Sequence, residues 1–141
     1  MSYCVLSNNL IYLSIFVSHG DMYVKNVLIV DDSSFMRRMM KSIVIGNGYN
    51  VIGEAENGQL AVEKYKELMP DLVTMDVTMK VMSGLEALGE ILAFDPNAKV
   101  VMVSSMSQEI IVREAIALGA KGFIVKPFDD KQIISAFLKI S

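Results

Sequence analysis

Four short apolar runs punctuate the chain, and each stops at a residue with chemistry to offer. Val27-Leu28-Ile29-Val30 stops at Asp31-Asp32, and Leu72-Val73-Thr74-Met75 stops at Asp76. Val100-Val101-Met102-Val103 stops at Ser104, and Phe123-Ile124-Val125 stops at Lys126-Pro127. Unbroken β-branched runs of this length predict strands buried on both faces of a parallel sheet. Strand one covers Asn26–Val30. Ser33 or Ser34 caps the next helix, whose Met36, Met40, Ile43 and Val44 recur at helical spacing, with Arg37, Arg38 and Lys41 on the wetter side. Gly46-Asn47-Gly48 stops that helix. Strand two covers Asn50–Ala55. Asn57-Gly58 opens a helix with Leu60, Ala61, Tyr65 and Leu68 as its stripe, and Pro70 closes it.

Strand three is expected over 71–75. Ser83-Gly84 then leads into a helix reaching Phe94, and Asp95-Pro96-Asn97 makes a turn. Strand four is expected over 99–103. Ser107 caps a helix running to Leu118, with Gly119 as its stop. Strand five is Gly122–Val125, and Asp129 or Asp130 opens the last helix. Five strands and five helices in strict alternation make a doubly wound parallel sheet with helices on both faces, a three-layer α/β/α architecture. Ligands of such sheets bind just beyond the carboxyl ends of the strands. The pattern therefore gathers three acids, a hydroxyl and an amine on one rim.

Those groups suit a divalent cation held beside a phosphoryl group. Adjacent carboxylates raise one another's pKa unless a cation compensates. Mg²⁺ takes oxygen ligands, few carboxylates and several retained waters. Asp32 and Asp76 are the expected direct ligands, Asp31 holds a coordinated water, and the backbone carbonyl of Thr78 completes the protein's share. Asp76 then attacks a phosphoryl donor, Lys126 offsets charge on the phosphoryl oxygens, and Ser104 donates a hydrogen bond to the new group. Taken singly, each residue has a plainer reading: Asp31-Asp32 as helix caps, Asp76 and Ser104 as ordinary strand ends, Lys126 as a solvated charge. Their recurrence at four strand ends is what favours a site.

Composition narrows the alternatives. The 141 residues suffice for one domain with a real core. A net charge of −3 and no basic stripe speak against nucleic-acid binding. The single cysteine, Cys4, excludes an internal disulfide, and with only His19 beside it offers no metal-ligand spacing. The eleven methionines read as core filler. The apolar octet Leu10 to Val17 falls short of the ~18 residues a membrane span needs. No Lys or Arg precedes Lys25, so a secretory signal is not expected either. The expectations are a cytoplasmic location, no membrane partner, an N-terminal extension of unknown role over 1–21, and Met22 as the natural start.

The strings Val27 to Ser33, Met75-Asp76-Val77-Thr78-Met79, Met82-Ser83-Gly84, Gly119-Ala120-Lys121-Gly122-Phe123 and Val125-Lys126-Pro127-Phe128 carry a family resemblance. Residues 24–141 resemble the receiver domain of two-component response regulators, most closely the stand-alone chemotaxis type (CheY-like), so that 22–141 is expected to be one receiver domain. The resemblance implies a flavodoxin-like fold with sheet order 2-1-3-4-5. It also implies a cis Lys126-Pro127 peptide and a CheA-like histidine kinase that donates the phosphoryl group to Asp76. The chain would be no enzyme beyond catalysing its own phosphorylation and dephosphorylation. Ser104 and Phe123 would switch a surface of helix four, strand five and helix five that meets a motor or motor-adaptor protein, and the chain would act as a monomer. In that surface, one of Ile110, Ile111 and Val112 should face solvent or a partner.

Three departures stand out. Lys80 replaces the family's usual Pro, which puts the rigidity of its loop in question and adds a cation near the acids. Phe123 stands where chemotaxis members often carry Tyr, so any switching rests on packing. Ser105 replaces the favoured Ala. Other readings are a phosphatase passing through an aspartyl phosphate, a receiver cut from a transcription regulator, and a binding module that needs no phosphorylation. Thr78, where such phosphatases place a second acid, speaks against the first.

Overall fold

The computed structural model describes residues 23–140, so the expectations for residues 1–21 and for Met22 lie outside the described residues. Five parallel strands, β1 (Asn26–Val30), β2 (Asn50–Ala55), β3 (Leu72–Asp76), β4 (Val100–Ser104) and β5 (Gly122–Val125), form one sheet in the order 2-1-3-4-5. Five helices alternate with them: α1 (Ser34–Gly46), α2 (Gly58–Leu68), α3 (Gly84–Phe94), α4 (Glu109–Leu118) and α5 (Asp130–Ile140). Among the described residues no helix is long and apolar enough to cross a membrane.

Alternation along each strand feeds two cores, because successive side chains of a strand point to opposite faces. Val27, Ile29, Leu72, Val101 and Val103 meet Met40 and Val44 of α1 and Ile133 and Phe137 of α5. Leu28, Val30, Val73, Met75, Val100 and Met102 meet Ala61, Val62 and Tyr65 of α2, Ala87, Leu88 and Ile91 of α3, and Ala115 of α4. Both faces of the central strands are therefore dry, which is what continuous apolar runs require.

The starts of the helices are set locally. Ser33 accepts from Met36 N at 3.2 Å and Asn57 from Leu60 N at 2.8 Å. Ser83 and Glu86 exchange bonds in a capping box. Asp129 and Gln132 do the same at α5, each backbone N–H reaching the other's side chain. The expected Ser107 cap is not formed. Gln108 stands at the N-cap of α4 without a side-chain bond, and its carbonyl accepts from Ile111 and Val112.

Two strands sit one residue later than expected. Asp76 pairs with Val103, and Ser104 with Val125, so both polar residues belong to the ladder rather than follow it. Asp71 is instead spent as an acceptor for Asn26 N and the Tyr23 hydroxyl. Of the apolar triplet in α4, Ile110 is 71% exposed, while Ile111 and Val112 are half-buried.

Candidate functional site

Sheet order brings the four strand ends together. β1 and β3 are neighbours, with Val30 opposite Met75, so Asp31-Asp32 and Asp76 leave the sheet side by side. β4 and β5 follow, and Lys126 N donates to the Ser104 carbonyl at 2.8 Å. The Lys126-Pro127 peptide is cis. Carboxylate oxygens of Asp31, Asp32 and Asp76 lie within 4.8 Å of one another. Lys126 Nζ sits 2.8 Å from Asp31 Oδ2 and 3.6 Å from Asp76 Oδ2. Sequence reasoning placed these residues on one rim, and they are in one another's reach.

The three acids are not equivalent. Asp31 is buried and held at every polar atom. Its N–H donates to the Ala55 carbonyl, its carbonyl accepts from Arg37, one carboxylate oxygen accepts from Ser33 N and the other from Lys126. Asp32 is exposed, and no side-chain hydrogen bond engages it among the described residues. Asp76 is 8% exposed. Burial pushes the Asp76 carboxyl above the ordinary carboxylate range; Lys126 works against that rise, while Asp31 and Asp32 add to it. The Thr78 N–H also favours the ionised form.

Such a donor set fits Mg²⁺. It is all oxygen, it carries few carboxylates, and the free member, Asp32, faces solvent where retained waters have room. A cation seated among the acids would offset the repulsion that adds to the effect of burial on Asp76. The Thr78 carbonyl accepts no protein hydrogen bond among the described residues, which leaves it available.

Ser104 is buried at the end of β4, and its hydroxyl accepts from Met106 N at 3.0 Å. Phe123, on β5 opposite Met102, is half-buried against the core. Lys80 is exposed and makes no ion pair with the acids among the described residues, so their cation is Lys126.

The loop between β3 and α3 is held without a proline. Gly84 N donates to Val77 O at 2.8 Å, and Gly58 N donates to Met82 O at 3.0 Å. A Cβ at Gly58 would come within 2.5 Å of that Met82 oxygen, and one at Gly84 would collide with the Asp76 carbonyl, so both sites demand glycine. Between them Met82 N donates to Lys80 O at 2.7 Å around Val81, whose φ is 70°. That is a γ-turn with positive φ at its centre, the rarer and more strained form. A β-branched residue there is a genuine outlier.

One part of the site was missed by pattern reading. Arg37 was expected on the wetter side of α1, yet it turns inward. Its Nη1 donates to Asp31 O at 2.8 Å and its Nε to Glu54 Oε1 at 3.1 Å. Lys41 pairs with the other oxygen of Glu54. Lys41 first, then Arg37, hold the Glu54 carboxyl below its ordinary range. Residues 37 and 41 lie four apart on one helix face, and that spacing beside a strand-end acid was the available signal.

Comparison with known proteins gives the same picture. The family model for the response regulator receiver domain matches residues 27–138. The chain is 56% identical to chemotaxis protein CheY of Thermotoga maritima over 117 residues, which is 83% of this chain and 98% of that one. It is 54% identical to chemotaxis protein CheY of Bacillus subtilis over 113 residues, 80% and 94% of the two chains. In a crystal structure of the CheX-CheY-BeF3-Mg+2 complex from Borrelia burgdorferi, one chain superposes with a TM-score of 0.83 at 39% identity, covering 86% of this chain and 93% of that one.

Proposed function

The chain belongs to the response regulator receiver domain family, and from that premise we propose that it is a phosphorylation-dependent signalling switch in chemotaxis. The observation that carries the reading is the convergence of three carboxylates with Lys126 Nζ, which bonds Asp31 and reaches Asp76. The two CheY relatives above are matched along nearly their whole length, which favours this role over transcription control. We assign residues 22–141 to the receiver domain and take the chain to act as a monomer.

Asp76 is the phosphoacceptor. Its carboxylate oxygen attacks the phosphorus of a phosphohistidine on a histidine kinase. The new bond is an acyl phosphate, the phosphorus–nitrogen bond breaks, and the imidazole leaves with the electron pair. Asp32, Asp76 and the Thr78 carbonyl would hold Mg²⁺ directly, and Asp31 would do so through water. When bound, Mg²⁺ offsets charge on the phosphoryl oxygens. Lys126 is close enough to Asp76 to exchange Asp31 for a phosphoryl oxygen. The same groups serve hydrolysis of the acyl phosphate. A water oxygen attacks phosphorus, the Asp76 carboxylate leaves with the electron pair and inorganic phosphate departs, so the chain catalyses only its own phosphorylation and dephosphorylation.

The readout runs through Ser104 and Phe123. When the Ser104 hydroxyl turns from Met106 N to the phosphoryl group, it vacates space toward β5 that Phe123 fills. Beside it, β5 and α5 line a groove of about 670 Å³ that includes Lys121, Phe123, Lys131 and Lys139. A motor or motor-adaptor protein that prefers the phosphorylated arrangement is captured on the surface of α4, β5 and α5, of which this groove is one part. Amide NMR with beryllofluoride and Mg²⁺ tests this coupling. The wild type should shift across α4, β5 and α5, and Ser104→Ala and Phe123→Ala should each reduce those shifts. Unchanged shifts in both variants would sink the coupling.

A further inference from the structure

Arg37 occupies a place that helix stability does not explain. It lies in the first turn of α1, which contains no acidic residue, so its charge meets the positive end of the helix dipole. It is nevertheless drawn in, with its side chain only 17% exposed. The atoms it holds are informative. The Asp31 carbonyl belongs to the peptide unit that carries the Asp32 N–H, so fixing that carbonyl fixes the plane from which the Asp32 side chain departs. Asp32 has no side-chain hydrogen bond to orient it among the described residues. Its direction is inherited from the backbone.

We propose that Arg37 is a positioning residue: it clamps the Asp31–Asp32 peptide to Glu54 and thereby sets how tightly the acidic rim binds a divalent cation. This rests on the metal reading above and extends it to residues that touch neither metal nor phosphoryl group. Two features of the geometry support it. The guanidinium uses separate nitrogens for separate tasks, Nη1 for the Asp31 carbonyl and Nε for Glu54. A lysine ammonium on a flexible stem cannot span both with the same fixed fork. Glu54 also neutralises a cation that would otherwise repel the metal from close range. Lys41 on the same carboxylate, and Lys64 Nζ on the Glu54 carbonyl, fix that acid in turn.

The test is calorimetric titration of Mg²⁺ into the full chain and into Arg37→Gln, Arg37→Lys and Glu54→Gln, with Asp32→Asn as the variant that removes a ligand. Loss of a residue that orients a metal ligand typically weakens binding about tenfold or more. Arg37→Gln should raise the Mg²⁺ Kd by about tenfold, Arg37→Lys should not restore it, and Glu54→Gln should weaken binding through the uncompensated charge. Hydrogen exchange without metal adds a second readout. The Asp31 amide, donated to Ala55 O, should exchange faster in Arg37→Gln. A melting temperature that falls while the Kd stays within about twofold, well short of that tenfold, would leave Arg37 merely structural and overturn the proposal. No Mg²⁺ binding by the wild type would overturn the metal reading itself, and this proposal with it, whatever the Arg37 variants do.

Discussion

Replacing Gly84 by alanine probes how closely the chain is packed behind Asp76. A Cβ at this position lies 2.8 Å from the Asp76 carbonyl carbon, 3.0 Å from Val77 Cα and nearer still to the Asp76 carbonyl oxygen. All three neighbours are backbone, so none can rotate away. Ordinary contact begins at 3.4 Å, so the carbonyl-carbon contact alone must open by 0.6 Å, from 2.8 to 3.4 Å, and the oxygen contact by more. That movement pulls Gly84 N from Val77 O, a bond of 2.8 Å. Overpacking of this kind costs about 1–3 kcal/mol and the lost bond about 1, so Gly84→Ala should destabilise by about 2–4 kcal/mol. Gly89 supplies the control in the same helix. Nothing lies within 4 Å of a Cβ there, and alanine should stabilise by about 0.5–1 kcal/mol by restricting the unfolded chain. Urea unfolding followed by circular dichroism should separate the two variants by about 2.5–5 kcal/mol at unchanged m. A Gly84→Ala protein within about 0.5 kcal/mol of wild type, the scatter of neutral surface changes, would refute the packing argument.

Further predictions concern the loop, the acids and the metal. Val81→Asn keeps the γ-turn but relieves the β-branched outlier, and should raise stability by about 1 kcal/mol in the same urea assay. Burial raises the Asp76 pKa, so between the unfolded and folded values the native state binds more protons and stability falls as pH rises. Metal-free Asp76→Asn should therefore be more stable than wild type at neutral pH. That advantage should shrink as pH drops toward the unfolded carboxylate value of about 3.9 in pH-dependent thermal melts. Mg²⁺ at about ten times its Kd should stabilise wild type by about 1.4 kcal/mol and leave Asp32→Asn unmoved, as thermal shift will report.

The architecture was legible because its signals are local and redundant. Dry parallel strands announce themselves as β-branched runs, and Ser33, Asn57, Ser83 and Gly119 punctuate them as helix caps and stops. The rim followed from topology, since carboxyl ends of neighbouring strands must meet. What escaped depends on long-range partners. Asp76 and Ser104 looked like loop residues because polarity ends a hydrophobic pattern, yet ladder pairing with Val103 and Val125 extends through them. Ser107 looked like a cap, but α4 begins after Gln108 without one. Arg37 looked solvated because helical periodicity cannot see that Glu54, on a different strand, waits beside it. The loss of proline at position 80 suggested a looser loop, whereas Gly58 and Gly84 tether both of its flanks.

Intact-mass analysis after incubation with acetyl phosphate, with and without Mg²⁺ and with Asp76→Asn as control, shows whether Asp76 is a metal-dependent phosphoacceptor. One added phosphoryl group that requires both Mg²⁺ and Asp76 is the expected result. Labelling that survives in Asp76→Asn, or no change in the NMR spectrum of the wild type when beryllofluoride is supplied in place of an unlabelled product, would contradict it.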